Sequence, residues 1–386
     1  GSINDFAAIT QGGGLYGAGP DAVLEDCIIE RCAAVAGGGA SHGTLRNCLV
    51  AGNTASSHGG GAIYAFLTGC VVRGNAAAAS DGGGAYFSSL AGCLVESNTC
   101  KGDGGGIWWS SARDCRVVGN RARRYGGGGN DTFRNCLIAD NIASNSGGGT
   151  YWSDIASCTI AGNTACADGG GVLMAGGTLA NSIVFGNLTT GAAANISGAT
   201  TNNCAYTCSD AIPAGGGNLS ADPLFLAASN GDYRLAANSP CVDAGLTEPW
   251  MDGACDAGGT PRIVNGTVDL GAYEFHFDAQ LRALLQGPYG TNLHAMTTGL
   301  SGNLPSAAPY AGDASAVGQI PSDVTDWVLL EVRPDTSNSA IFSRSALLRN
   351  DGRILDAAGG ADILIEVPPG TTNYLVISHR NHLSAM

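Results

Sequence analysis

Asp81 and Asp103 each stand immediately before a run of three glycines and lie 22 residues apart. If a 22-residue step returns the chain to the same lateral position one strand spacing on, their carboxylates sit ~5 Å from each other. Two carboxylates that close could bind Ca²⁺ or share a proton. Polysaccharide lyases and hydrolases gather carboxylates in this way on one face. Asp-Gly is also ordinary turn chemistry, and that plainer reading is the expected one. The matching place at other triplets is held by Ala36, His58, Tyr125, Ser146 and Asp168. No basic residue recurs beside the aspartates as a lyase base would; Lys101, Arg123 and Arg124 are the nearest.

Aromatic pairs follow three of the triplets: Tyr86-Phe87, Trp108-Trp109 and Tyr151-Trp152. On a strand one member of each pair faces in and one out. Tyr86, Trp108 and Tyr151 are the candidates for an outward column that stacks on sugar rings. The alternative is a column that merely covers the surface. No Gly-x-Ser-x-Gly elbow, phosphate-binding loop or zinc motif appears.

These residues need a periodic scaffold, and the sequence supplies one. Glycine triplets begin at Gly12, Gly37, Gly59, Gly82, Gly104, Gly126, Gly147 and Gly169. A second series keeps the same beat: Cys27, Cys48, Cys70, Cys93, Cys115, Cys136 and Cys158, with Ser182 continuing it. Five residues beyond each comes Cys32, then Asn53, Asn75, Asn98, Asn120, Asn141, Asn163 and Asn187. A glycine triplet in every unit would break helices, so helical repeats are excluded. Short β-branched runs such as Val71-Val72 and Val117-Val118 read as strands, two or three per unit. A 22-residue unit of this kind is one coil of a parallel β-solenoid, and about eight coils are expected. The cysteines should point inward as small hydrophobes. The asparagines should sit at a turn and bond to their copies above and below. The glycines should take φ > 0 at a corner or let the chain pass close to itself.

Composition agrees with a packed, unusual fold. Of 386 residues, 61 are glycine, 44% are hydrophobic and only 13% are charged, which excludes a disordered chain. A net charge of −14 disfavours nucleic acid and anionic membranes as partners. No apolar run is long enough for a membrane-spanning helix. The chain begins Gly1-Ser2-Ile3-Asn4 without a signal peptide and reads as a processed start. The 14 cysteines would suit a secreted protein.

Gly59-Gly60-Gly61-Ala62-Ile63 and Cys70-Val71-Val72-Arg73-Gly74-Asn75 resemble the repeats of bacterial surface and secreted right-handed parallel β-helix proteins, in particular the polymorphic outer-membrane type. The resemblance covers about residues 10–190. It implies an extracellular or cell-surface location and gives no activity. Asp222-Pro223-Leu224-Phe225, Ser239-Pro240-Cys241-Val242-Asp243-Ala244-Gly245 and Val268-Asp269-Leu270-Gly271-Ala272-Tyr273-Glu274 look like the closing segment of such proteins. That likeness implies irregular final coils and a cap over residues 195–275. Cys204/Cys208 and Cys241/Cys255 are the candidate local disulfides, while the column cysteines are expected as free buried thiols. Asp326-Trp327-Val328-Leu329-Leu330-Glu331 and His379-Arg380-Asn381-His382-Leu383 resemble a C-terminal β-module of large secreted bacterial β-helix proteins.

The expected architecture is therefore all-β: a right-handed parallel β-helix over residues 1–194, its irregular cap over 195–275, and a small β-sandwich-like domain over 276–386. In that last domain Trp327–Val332, Ile363–Val367 and Tyr374–Ile377 read as strands. Ala346–Leu355 reads as a hairpin turning at Asp351-Gly352. The chain stops at Met386, so a sheet edge could stay open and accept a strand from another copy. Ile3–Thr10 is the candidate donor. The functional expectation is a non-enzymatic extracellular solenoid: a surface adhesin, spacer or fibre subunit that self-associates, without a cofactor. The alternative is a carbohydrate-active enzyme or a glycan-binding protein, with Ca²⁺ at Asp81 and Asp103 as its metal.

Overall fold

A computed structural model of the chain describes residues 1–4, 10–190, 192–264, 266–279, 289–290, 295–296, 304–310, 320–334, 340–357, 363–365, 373–379 and 382–385. The chain forms two compact units, Gly1–Phe275 and His276–Met386.

The first unit is a right-handed parallel β-helix of about nine turns. A full coil carries four short strands, where the sequence suggested two or three. In one coil these are Ala62–Ile63, Phe66–Thr68, Val71–Arg73 and Ala76–Ala77. Each pairs in parallel with its counterpart one coil on: Ala85–Tyr86, Ser89–Ala91, Leu94–Glu96 and Thr99–Cys100. Single residues in the left-handed region separate the strands. In this coil they are Gly59, Tyr64, Gly69 and Gly74, with φ between 51° and 66°. Strands of two or three residues with a sharp corner after each explain why no strand is long enough to alternate visibly in the sequence.

Stacked columns fill the interior, among them one of valine and isoleucine, one of cysteine and one of asparagine. Val50, Val72, Val95, Val117, Ile138 and Ile160 are fully buried, and the cysteines Cys48, Cys70, Cys93, Cys115, Cys136 and Cys158 lie beside them. Cys27, in the first coil, is only half-buried. Each thiol donates to a nearby carbonyl and, in most coils, accepts the N–H of the preceding cysteine; Cys93 N–H to Cys115 Sγ is 3.3 Å. The neighbouring Cys115 thiol, together with burial, pushes the Cys93 thiol up to about 12.

The third column is asparagine. Each of Asn53, Asn75, Asn98, Asn120, Asn141, Asn163 and Asn187 is fully buried. Each amide oxygen accepts both the N–H and the Nδ2 of the asparagine one coil before it, at 2.9–3.0 Å for the Asn75–Asn98 step and its neighbours. Cys32 N–H starts the column on Asn53, and Asn195 ends it below Asn187. The Nδ2 also donates to a carbonyl of the preceding coil, as Asn98 does to Val72 O at 2.9 Å. Nothing in this column is left unsatisfied, which is what a buried polar network requires.

The glycines serve both expected purposes. The first of a triplet turns the corner, as Gly59 does at φ +66°. The second permits contact: a Cβ on Gly60 would lie 2.4 Å from Gly83 O. One coil departs from the sequence reading. Gly126–Gly129 is a run of four, and the coil takes Tyr125, at φ +59°, as its corner. Arg124, not Tyr125, therefore holds the place matching Asp103, and the two pair in register.

Cys204–Cys208 forms the last coil strand, on Leu179–Phe185. Beyond it, Ala199 and Ile212 pack on the end of the core. The rest of the segment expected as a cap lies along the flank. Tyr233, Ala272 and Tyr273 cover Leu137, Ala139 and Ala161, while Leu235, Cys241 and Leu270 cover Ile183. Asn181 exchanges two hydrogen bonds with Leu246 at 2.7 and 2.8 Å, and Asn135 donates to Cys255 O at 2.8 Å. Burial of both faces follows: Leu137–Ala139 and Thr159–Ala161 are buried throughout, whereas Arg73, Glu96 and Arg116 project from the uncovered coils.

Two sequence expectations fail in this unit. Ser2–Asn4 already pairs in parallel with Ile28–Glu30, so that part of the proposed donor strand is the first rung of the solenoid; residues 5–9 lie outside the described residues. All 14 cysteines are free thiols. Cys204 packs in the solenoid core and Cys208 in the flank cluster, while Cys241 is fully buried and Cys255 exposed, so neither suggested pair is brought together.

The second unit is antiparallel. Its sheet runs Ile354–Asp356, Phe342–Arg349, Val324–Arg333, Tyr374–His379 and His382–Ala385. A separate pair, Phe277–Ala279 with Ile363–Ile365, contributes Ile363 and Ile365 to the core formed by Val328, Leu330, Ala346 and Leu348. Residues 366–367, which the sequence reading also assigned to a strand, lie outside the described residues. Trp327 is fully buried with Nε1 on Pro305 O at 2.9 Å.

Candidate functional site

The residues before the triplets form a polar line along one corner. Asp81 Oδ1 accepts the Asp103 N–H at 2.8 Å. Arg124 clamps both oxygens of Asp103, at 2.8 and 2.7 Å. Burial pushes the Asp103 carboxyl up, and Arg124 opposes that shift. The two aspartates are thus not an open pair: one carboxylate holds a backbone donor and the other an arginine. Among the described residues no three His, Cys, Asp or Glu side chains gather as a metal site.

One constellation on this line escaped the sequence reading. His58 takes Ser57 Oγ at 2.6 Å on Nδ1 and Ser80 Oγ at 2.9 Å on Nε2, with the Tyr86 ring 4.6 Å away. The distances suit a nucleophile and base. Acyl transfer also needs open N–H donors for an oxyanion. The N–H groups of Gly82 and Gly83 are consumed by Asp103 O and Gly104 O. The line is a hydrogen-bonded surface, committed to stacking.

The aromatic residues are arranged differently from a strand alternation. Ala85, Ile107 and Thr150 take the interior positions and are fully buried. The next residue, Tyr86, Trp108 or Tyr151, lies over the glycine corner, and the one after stands on a left-handed corner pointing to solvent. Trp108 is only 6% exposed, while Phe87, Trp109 and Trp152 are 43%, 49% and 50% exposed. The outward column is therefore Phe87, Trp109 and Trp152, joined by Tyr64, and not Tyr86, Trp108 and Tyr151. Gly129 leaves a gap in the inner column, which Tyr125 fills. Its ring stacks on Trp108 at 5.4 Å and on Tyr151 at 4.1 Å, within 8° of parallel in both cases.

The outer column is strained and interrupted. Tyr64, Phe87, Trp109 and Trp152 hold φ between 43° and 52°. Such corners favour glycine or asparagine and cost a bulky residue roughly 1 kcal/mol each. Tyr64, Phe87 and Trp109 stack on one another at 5.6 and 5.8 Å and so cover each other's faces. The next corner carries Asn130, and Trp152 follows one coil later. Two coil steps span about 10 Å. The break opens a cleft of about 700 Å³ bordered by Trp109, Asn130, Thr132, Tyr151, Trp152 and Asp154.

Both indoles are held from outside the cleft. Trp109 leans on Phe87, and Trp152 packs on a two-residue insertion, where a Cβ on Gly176 would lie 2.3 Å from the indole nitrogen. Beneath them runs a ladder in which Ser88, Ser110, Asp131 and Ser153 each accept the N–H of the preceding coil. Asp131 is fully enclosed, and burial keeps its carboxyl well above the usual carboxylate range. Asp154 is exposed and accepts Thr178 N–H and hydroxyl at 3.0 and 2.9 Å. The cleft thus offers aromatic faces, an amide, a hydroxyl and acidic groups, with no basic residue on its border.

Residues 3–122 match the family described as the right handed beta helix region. No curated protein matches the chain. A solved structure, the crystal structure of pectate lyase Pel9A, is similar at 15% identity over 69% of each chain, with a TM-score of 0.36, a likeness too distant to bear on activity.

Proposed function

We propose that this chain is an extracellular, adhesin-like β-solenoid that holds a neutral or basic saccharide in the cleft between Trp109 and Trp152. The rest of the rod acts as a rigid spacer. The break at Asn130 carries this reading: it leaves two indoles half-exposed, at strained corners, around a gap one sugar ring deep. A ring inserted midway in about 10 Å sits about 5 Å from either side, the distance that ring stacking uses. Backbone strain at exposed aromatics supports a functional reason for them. The absence of any basic residue on the border, with a chain charge of −14, favours uncharged or amino sugars over uronic acids. Binding is favoured over catalysis because Asp81 and Asp103, the carboxylates a lyase would use, are already engaged.

An immobilised panel of neutral, amino and acidic oligosaccharides tests the reading. The full chain is expected to retain one or more neutral or amino members. Trp109→Ala and Trp152→Ala should each weaken that binding by at least about tenfold, the effect of losing a central aromatic contact. No retention anywhere on the panel, or retention indifferent to both substitutions, would overturn it.

A further inference from the structure

Cys208 ends the last coil strand, and Cys241 lies on the segment that folds back along the flank. Both are fully buried in one cluster with Ile183, Leu235 and Leu270. The two thiols are close enough in that cluster for each to be the neighbour that most perturbs the other. The backbone on both sides is fixed: Cys241 N–H bonds Ser239 Oγ at 3.1 Å, Leu270 N–H bonds Cys241 O at 3.0 Å, and the Cys208 thiol donates to Ala221 O at 3.3 Å. The column thiols differ, since each is stacked on the matching residue of the next coil. Cys204 belongs to the solenoid core, and Cys255 is exposed.

We infer that Cys208 and Cys241 are a disulfide site that fastens the flank segment to the last coil. The oxidant is a small-molecule disulfide. The Cys208 thiolate attacks one of its sulfurs and expels a thiol. Cys241 then gives up its proton and attacks the Cys208 sulfur of the mixed disulfide, releasing the second thiol. Two protein thiols are oxidised and one small disulfide is reduced to two thiols. Neither sulfur is exposed in the closed protein, so exchange takes place while the flank segment is open. Closure then shields the bond.

The full chain, refolded in a glutathione redox buffer and alkylated under denaturing, non-reducing conditions, is mapped by peptide mass spectrometry. A peptide joining Cys208 to Cys241 is expected in the wild type and in Cys255→Ser. It should be missing in Cys208→Ser and Cys241→Ser. The oxidised wild type should melt roughly 10 °C above its reduced form, as a closed loop of 33 residues implies. Cys241→Ser should show no such difference. Alkylation of both thiols after oxidative refolding, or either cysteine joined elsewhere, overturns the inference. The wild-type map decides the matter even if a serine variant does not fold.

Discussion

Replacing Asn98 by alanine cuts the amide column at its middle. Four hydrogen bonds disappear together: Asn75 N–H and Nδ2 to Asn98 Oδ1, and Asn98 Nδ2 to Asn120 Oδ1 and to Val72 O. Each is worth about 1 kcal/mol net. One backbone group, the Asn75 N–H, is also left buried and unsatisfied, at about 1–3 kcal/mol. The Asn75 amide keeps its bond to Val50 O, and Asn120 keeps the Asn98 N–H, so the damage stays within two interfaces. Allowing for overlap between these contributions, the loss is about 4–6 kcal/mol. Urea unfolding of the full chain followed by circular dichroism reads it as a lower midpoint. Because a solenoid is a chain of nearest-neighbour interfaces, the loss can also emerge as an earlier, separate unfolding step. Hydrogen exchange at the Asn75 amide reports it locally in either case. A change below about 1 kcal/mol, with unaltered exchange at Asn75, would show that the column is decoration.

The two kinds of glycine should respond oppositely to alanine. Gly60→Ala places a Cβ 2.4 Å from Gly83 O and should cost more than about 3 kcal/mol, whereas Gly74→Ala, with open space around it at φ +61°, should cost about 1 kcal/mol; denaturant midpoints of the two variants decide this. The flank segment should loosen as pH rises. Arg262, Glu274 and Asp269 are buried together, Arg262 lies 3.2 Å from Glu274, and burial still pushes Asp269 to about 6 and Glu274 to about 9. The folded chain thus holds these protons more tightly than the unfolded one, so their contribution is complete below pH ~4 and is lost as pH climbs through about 6 and then about 9. Thermal midpoints at pH 4.5, 7 and 9.5 should therefore descend, and a rise would contradict the assignment. Arg262→Leu should cost several kcal/mol at neutral pH, because it removes the buried cation beside Asp269 and the bonds its guanidinium gives to Asp269 O and Gly271 O.

Much of this molecule was legible before any coordinates. The Cys, Asn and Gly series recur because each coil repeats one environment, so spacing alone placed Cys70 above Cys93 and Asn75 above Asn98. Where the environment allows two solutions the pattern fell silent. Four glycines at 126–129 permit two corners, and Tyr125 shows which one the chain takes only through its ring between Trp108 and Tyr151. Strand alternation misassigned the aromatic pairs because their strands end after two residues in a left-handed corner. The flank cover had a signal that was not used: Leu137-Ile138-Ala139 and Thr159-Ile160-Ala161 carry no charge on their outward positions, where Arg73, Glu96 and Arg116 do. The Cys208–Cys241 contact joins residues from the last coil and the flank, and no periodicity connects them.

The most direct test of the binding cleft is Asn130→Trp, compared with wild type for thermal midpoint and for retention on the oligosaccharide panel. Trp109 and Trp152 already occupy matching corners at φ 52° and 43°, so the backbone accepts an indole there. The new ring would complete the outer column and fill the gap. The account predicts an equal or higher midpoint together with loss of saccharide retention. A well-folded Asn130→Trp protein that retains saccharide as the wild type does would contradict it.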